Sequence, residues 1–531
     1  MKAMTQASSI PPASPAAPVS VPKPDPTAAV VIGAGLGGLA AAMRLGAKGY
    51  QVTVVDKLDR AGGRGSSITK GGHRFDLGPT IVTVPQGLRD LWAVCGRDFD
   101  QDVKLVAMDP YYEIRFHDGE TFTMRGDPAA MKAEVERIRK SDLKGYEQFL
   151  KDAEARYSFG YEGLGRRPQH KLWDLIKVLP KFAMMRADRS IHDHAARRVL
   201  DRHLRFALSF HPLFIGGDPF HVTSMYGLVS HLEKAFGVHY AQGGIQAIAD
   251  AMVKVIKLQG GTVLLGQEVD EILAQDNRAA GVRLGNGTVL PAAVVVSNAD
   301  PGHTYDRLMR NRFKWRWTPE RLAAKRWSMG LFVWYFGTKG TSTQWRDVGH
   351  HTIVVGPRYQ AHIKDIFENG KLADDMSLYV HRPSVTDPSV APRGDDTFYV
   401  LSPVPNLAKN PVDWAAEADR YKEKVAAVLE ERLIPGFRSK ITESLVFTPE
   451  TFRDRYLSPY GAGFSLEPRI LQSAWFRPHN ISEELPGLYM VGAGTHPGAG
   501  VPGVIGSAEV TAQLIPDAPH LRARAYRMAA E

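Results

Sequence analysis

Gly33, Gly35 and Gly38 form a G-x-G-x-x-G pattern directly after the apolar run Ala28–Ile32. Asp56 closes the next apolar run, Gln51–Val55, at the distance where a carboxylate meets a ribose hydroxyl. This spacing suits binding of a dinucleotide. Gly33 permits a tight turn, Gly35 lets backbone approach a pyrophosphate, and Gly38 lets a helix pack against a strand. The helix N-terminus then faces the anion. An acid at Asp56 disfavours a 2′-phosphate, so NADP fits poorly. Gly62, Gly63 and Arg64 follow closely and can cradle a second phosphate group. Gly78 and Pro79 give a further turn. Near the other end of the chain, Gly492, Gly494, Gly498, Gly500, Gly503 and Gly506 crowd one turn between an apolar run and a helix-forming run. His496 stands inside that turn, where it suits binding rather than catalysis.

These residues need strands and helices behind them. Ala28–Ile32 is suited to a central parallel strand, 39–45 to a helix ending at Gly49, and Gln51–Val55 to the next strand. The stretches 261–273 and 279–298 are predicted strands, with a hairpin at Gly285-Asn286-Gly287. The fold class is therefore α/β. A Rossmann-like dinucleotide domain is assembled from 28–85, 235–300 and 480–515, interleaved with an α+β substrate domain from 86–234 and 301–479. Residues 1–27, rich in Pro and Ala, are expected to be a disordered tail, and 516–531 a second tail.

Composition narrows the function. The chain has 531 residues, 44% of them hydrophobic, enough for a large core. Its single cysteine, Cys95, forbids an intrachain disulfide, a Cys-rich zinc site and a Cys-bound iron–sulfur cluster. No metal site is predicted. His192-Asp193-His194 and His350-His351 are the densest histidine groups, and both are assigned structural or exposed roles. No apolar run is long enough to cross a bilayer, so any membrane contact is expected at the interface. The net charge is +9. Residues 307–327 concentrate eight Arg or Lys around Phe313, Trp315, Trp317 and Trp327. Such a run suits single-stranded nucleic acid, a bilayer surface or plain solvent. No nucleic-acid-binding module accompanies it, so nucleic acid is not an expected partner.

The glycine fingerprint followed by Gly62-Gly63-Arg64 resembles the flavoprotein superfamily of amine oxidases and carotenoid desaturases. The runs 209–226, 331–337, 350–359, 471–480 and 491–509 are very similar to those of bacterial-type phytoene desaturases. The likeness spans residues 28 to 515. It implies FAD as cofactor, a C40 polyene (phytoene) as substrate, and repeated removal of hydride and proton to give neurosporene or lycopene. It also implies a quinone or oxygen as electron acceptor. Alternatives on the same scaffold are a carotenoid isomerase, a later desaturase or an amine oxidase. Asp174 and Glu233 match acids of the family, and Lys177 stands where the family usually has Arg. The three are the candidate catalytic residues, with Asp174 expected to have a raised pKa among apolar neighbours. A substrate dissolved in lipid makes the bilayer the preferred partner of 307–327 and places the protein peripherally on the cytoplasmic side of the membrane.

Overall fold

The computed structural model describes residues 21–521. Most of the tail expected over 1–27, and the end of the chain from 522, lie outside the described residues.

Five parallel strands form the first sheet, in the order Leu488–Met490, Val294–Ser297, Ala28–Ile32, Gln51–Val55, Thr262–Leu264. Three of the five, Ala28–Ile32, Val294–Ser297 and Leu488–Met490, are mostly apolar and almost wholly buried, as a covered parallel sheet requires. Helices Leu36–Ala47, Gln246–Leu258 and Val501–Leu514 cover one face, packing Leu39, Met43, Ile248, Met252, Ile505 and Ala508 against Val31 and Val54. The other face meets a three-stranded antiparallel sheet, Val269–Gln275, Arg278–Leu284 and Val289–Pro291. The Gly285–Gly287 hairpin joins its last two strands. The expected long strands 261–273 and 279–298 are each divided. Thr262–Leu264 and Val294–Ser297 enter the parallel sheet, and the stretches between them form the small one. Asp276 and Asn277, both with positive φ, make the turn that reverses the chain there.

A seven-stranded mixed sheet forms the second layer system. Its order is Ile441–Phe447, Gly330–Thr338, Asp396–Val404, Leu378–His381, His351–Val354, Tyr112–Arg115, Thr121–Met124. Every residue of Gly330–Thr338 is buried. Strand alternation sorts them. Phe332, Trp334 and Phe336 pack with Trp414, Tyr421 and Leu429, the latter three on helix Trp414–Arg432. Leu331, Val333 and Tyr335 point the other way, into the core that walls the cavity. Each such side chain contributes roughly 1.5–3 kcal/mol on burial.

Candidate functional site

A cavity of about 740 Å³ runs between the two sheets. One end is lined by Gly33, Gly35, Asp56, Gly62, Gly63 and Arg64, with Gly78, Gly498, Gly500 and Gly503 beside them. The other is lined by aromatic and aliphatic side chains, including Phe206, Phe210, Phe214, Leu228, Leu232, Leu175 and Phe182.

The glycine end is built by strand-to-helix geometry. Gly33, at φ +95°, turns the chain out of its strand, and the helix starts at Leu36, three residues earlier than composition predicts. A Cβ on Gly38 would lie 2.0 Å from the Gly33 carbonyl, so that glycine sets the packing distance and does not line the cavity. Gly492 and Gly494 also lie outside the lining: their Cβ positions fall against Asn298 and Pro301. Gly492 and Gly494, expected to bind the cofactor, therefore lie behind the cavity wall, whereas Gly38 does what its spacing predicts and packs helix against strand. Asn298 is the residue that reasoning from spacing passed over. Its side chain lies within 3.0 Å of the Cβ positions of Gly35, Gly37 and Gly492, so one amide supports both glycine turns.

Asp56 is held in place by two backbone amides: Ala34 N–H donates to Oδ2 at 2.7 Å and Leu58 N–H to Oδ1 at 2.8 Å. Burial raises its pKa, and these hydrogen bonds oppose the shift. Gly62 and Gly63 have φ +114° and +57°, and a Cβ on Gly63 would crowd Gly35 at 3.2 Å. Arg64 donates from Nη2 to Ser458, while its Nε is buried without a partner. Burial lowers its pKa and the nearby Asp300 carboxylate offsets part of that. A cradle of bare backbone beside an incompletely paired guanidinium fits a pyrophosphate. Gly78 sits where a Cβ would meet the Arg64 carbonyl at 2.4 Å. His496 donates from Nε2 to the Leu164 carbonyl at 2.9 Å. Its buried Nδ1 is unpartnered, and burial lowers its pKa to about 4, so the ring is neutral and offers an acceptor. The helix Val501–Leu514, entered through Gly500 at φ +94°, opens at the same place.

Of the three acid and base candidates, the structure brings only Glu233 to the cavity. It is 4% exposed, on helix Leu228–Phe236. Its Oε2 accepts from the Tyr112 hydroxyl at 3.0 Å and lies 3.2 Å from His211 Nε2. Burial beside this carboxylate pushes the Tyr112 hydroxyl far above its usual pKa, so it stays a donor. Neither Tyr112 nor His211 was singled out from sequence, although His211 lies within one of the runs that carried the resemblance. Asp174 sits elsewhere. It is the third residue of helix Leu172–Met184, where its Oδ2 accepts the Lys171 N–H at 3.0 Å and caps its own helix. Leu172, Trp173 and Ile176 are exposed rather than wrapped around it. Lys177 lies over the Trp173 ring at 5.9 Å. That helix turns Leu175, Leu179 and Phe182 to the cavity, and neither Asp174 nor Lys177 lines it.

The basic run behaves differently from its expected role. Arg310 forks onto Asp270, Arg326 pairs with Glu467, and the Glu484 carboxylate accepts the backbone N–H groups of Trp315, Arg316 and Trp317. Trp317, expected at a bilayer, is 2% exposed and stacks on Tyr305. Phe313 and Trp315 remain exposed. His350 and His351, assigned structural or exposed roles, are buried beside His381.

With two glycine turns from opposite ends of the chain closing on one cavity, the class of protein is defined: the chain belongs to the flavin containing amine oxidoreductase family, whose pattern matches residues 36–516. The cofactor is FAD. Within this class the chain is 74% identical over 493 residues to phytoene desaturase (neurosporene-forming) of Rhodobacter capsulatus, covering 92% of this chain and 94% of that protein. It is 69% identical over 514 residues to phytoene desaturase (neurosporene-forming) of Cereibacter sphaeroides, covering 96% and 99%. Among solved structures, an oxidoreductase from Methanosarcina mazei shares the fold at a TM-score of 0.62 and 20% identity, covering 91% of this chain and 98% of that one.

Proposed function

We propose that this chain is an FAD-dependent phytoene desaturase of carotenoid biosynthesis that forms neurosporene. The observation that carries the reading is the single cavity, with a dinucleotide cradle at one end and an aromatic, aliphatic channel at the other. A C40 hydrocarbon offers nothing to hydrogen-bond, so its binding comes from apolar burial. The Gly33–Gly38 turn, Asp56, Gly62-Gly63-Arg64 and the 498–503 turn would hold the FAD, which supplies a two-electron acceptor for hydride. Loss of hydride leaves positive charge on a substrate carbon. Glu233, fixed by Tyr112 and His211, is a carboxylate at the cavity wall that stabilises that charge. A quinone or oxygen would serve as the final electron acceptor.

The substrate enters from lipid, and the protein lies peripherally on the cytoplasmic face of a membrane. Among the described residues no helix is long and apolar enough to span a bilayer. The exposed cavity-lining residues Leu179, Ile470 and Leu471 form a mouth, continued by exposed Leu172, Trp173, Ile176 and Met184 on one helix. Lys171, Lys177 and Lys181 stand on the same helix or next to it, where anionic headgroups would meet them. The contact surface is therefore this helix rather than 307–327.

Purified protein loaded with FAD should convert phytoene in liposomes to a product with the spectrum of neurosporene. Lycopene as main product would overturn the product assignment. An unchanged phytoene pool with turnover of simple amines would overturn the function.

A further inference from the structure

Each desaturation also yields a proton, in a cavity whose substrate end is walled mainly by apolar side chains. We infer that this proton leaves through a buried chain of hydroxyl and imidazole groups, Thr80–Tyr379–His351–His381–His350–Thr386, leading from the cavity wall to the surface. The inference rests on the desaturase reading. Thr80 and Tyr379 both line the cavity, and Thr80 is two residues from Gly78, which abuts the flavin-binding Arg64 loop. The Thr80 and Tyr379 hydroxyls are 2.5 Å apart, and the Tyr379 hydroxyl is 2.7 Å from His351 Nδ1. With Nδ1 accepting from Tyr379, the ring proton of His351 is on Nε2. That atom is buried and unpartnered, the one open position along the chain. The His351 ring stacks on His381 with centroids 5.2 Å apart, and ligand-capable atoms of His350, His351 and His381 lie within 4.8 Å of one another. Beyond it, His381 Nε2 and His350 Nε2 are 2.9 Å apart, and His350 Nδ1 is 2.6 Å from the Thr386 hydroxyl. Thr386 is partly exposed.

The balance is simple. Per double bond, two C–H bonds of the substrate break. One hydrogen goes to the flavin as hydride, with both electrons. The other leaves as a proton, accepted at the hydroxyl end while Tyr379 gives its own proton to His351. A ring rotation at His351 or His381 closes the open position, and Thr386 releases a proton to solvent. Burial lowers the pKa of His350 to about 3 and holds those of His351 and His381 well below the usual imidazole value, with mutual repulsion adding to the shift for the latter two. Rings this weakly basic pass a proton on rather than store it. Three buried imidazoles are also a familiar metal-binding set, so the experiment must separate the two roles.

The FAD-loaded parent is first shown to turn over liposomal phytoene; failure there defeats the desaturase reading, not this one. Tyr379→Phe and Thr386→Val are then compared with it under anaerobic single turnover, in water and in deuterium oxide. We expect parental flavin content, flavin reduction slowed about tenfold or more in Tyr379→Phe, and a smaller slowing in Thr386→Val that imidazole buffer restores. The parent's solvent isotope effect should show more than one proton in flight. Parental reduction rates and isotope effects in both variants would overturn the relay. So would a stoichiometric metal in the purified parent by elemental analysis. Should Tyr379→Phe fail to fold, Thr386→Val, with its partly exposed side chain, carries the same test.

Discussion

Gly35 shows how little room the cofactor end leaves. A Cβ there meets Asn298 Nδ2 at 2.9 Å, so any larger side chain displaces the amide that supports both glycine turns. Gly35→Val should therefore abolish flavin binding, read as loss of flavin absorbance in the purified protein. Glu233→Gln should keep the flavin and lower turnover about 100-fold. Asp174→Asn should change turnover far less, because Asp174 caps its helix and does not itself line the cavity. The glycine and Asp56 positions were legible because backbone constraints force residue type. Asn298 was not, since an amide that supports two distant turns has no spacing signature. Asp174 misled because apolar neighbours in sequence are not apolar neighbours in space. Asp76 gives a pH test. Burial, with a smaller push from Asp387, raises its pKa from 3.8 to about 7 against the opposing pull of a backbone hydrogen bond from Ile245 and of Arg74. The native state then holds a proton that the unfolded chain has released, so this group makes stability fall as pH rises from about 4 to 7 and level off above. Asp76→Asn should gain stability over the parent across that window, by at most about 4 kcal/mol, in denaturant midpoints measured at pH 5 and pH 8.

At the scale of elements, the helix Leu172–Met184 carries the most exposed apolar surface beside the cavity mouth. The apolar residues around Asp174 in the sequence report an apolar stretch and not what covers it. The basic run 307–327 misled in the opposite way. Arg310, Arg316 and Arg326 pair with Asp270, Glu483 and Glu467, acids far away in sequence, and Glu484 takes up three backbone N–H groups of the run. Leu172→Ser, Trp173→Ser and Ile176→Ser together should reduce co-sedimentation with anionic liposomes, at low and high salt alike, because the lost contribution is apolar. Trp315→Ser should leave sedimentation at the parental level. If Trp315→Ser weakens binding and the triple variant does not, the contact belongs to 307–327.

The whole molecule is a parallel sheet whose strands come from three separated stretches, closed against a mixed sheet built from the two stretches between them. Strands 28–32, 51–55 and 488–490 were legible as short apolar runs bounded by glycines or an acid. The break that separates Thr262–Leu264 from Val269–Gln275, and the pairing of Tyr112–Arg115 with His351–Val354, were not, because register between distant segments is decided by packing. We propose that one cavity serves both chemistry and substrate entry, with direct hydride transfer from a lipid-borne polyene to bound flavin. The measurement that tests it is anaerobic mixing of the FAD-loaded protein with phytoene liposomes, following the visible absorbance of oxidised flavin. We predict bleaching of that band together with a desaturated polyene product. A band that stays oxidised in the presence of phytoene, in a protein whose flavin is reduced by dithionite, would contradict the account.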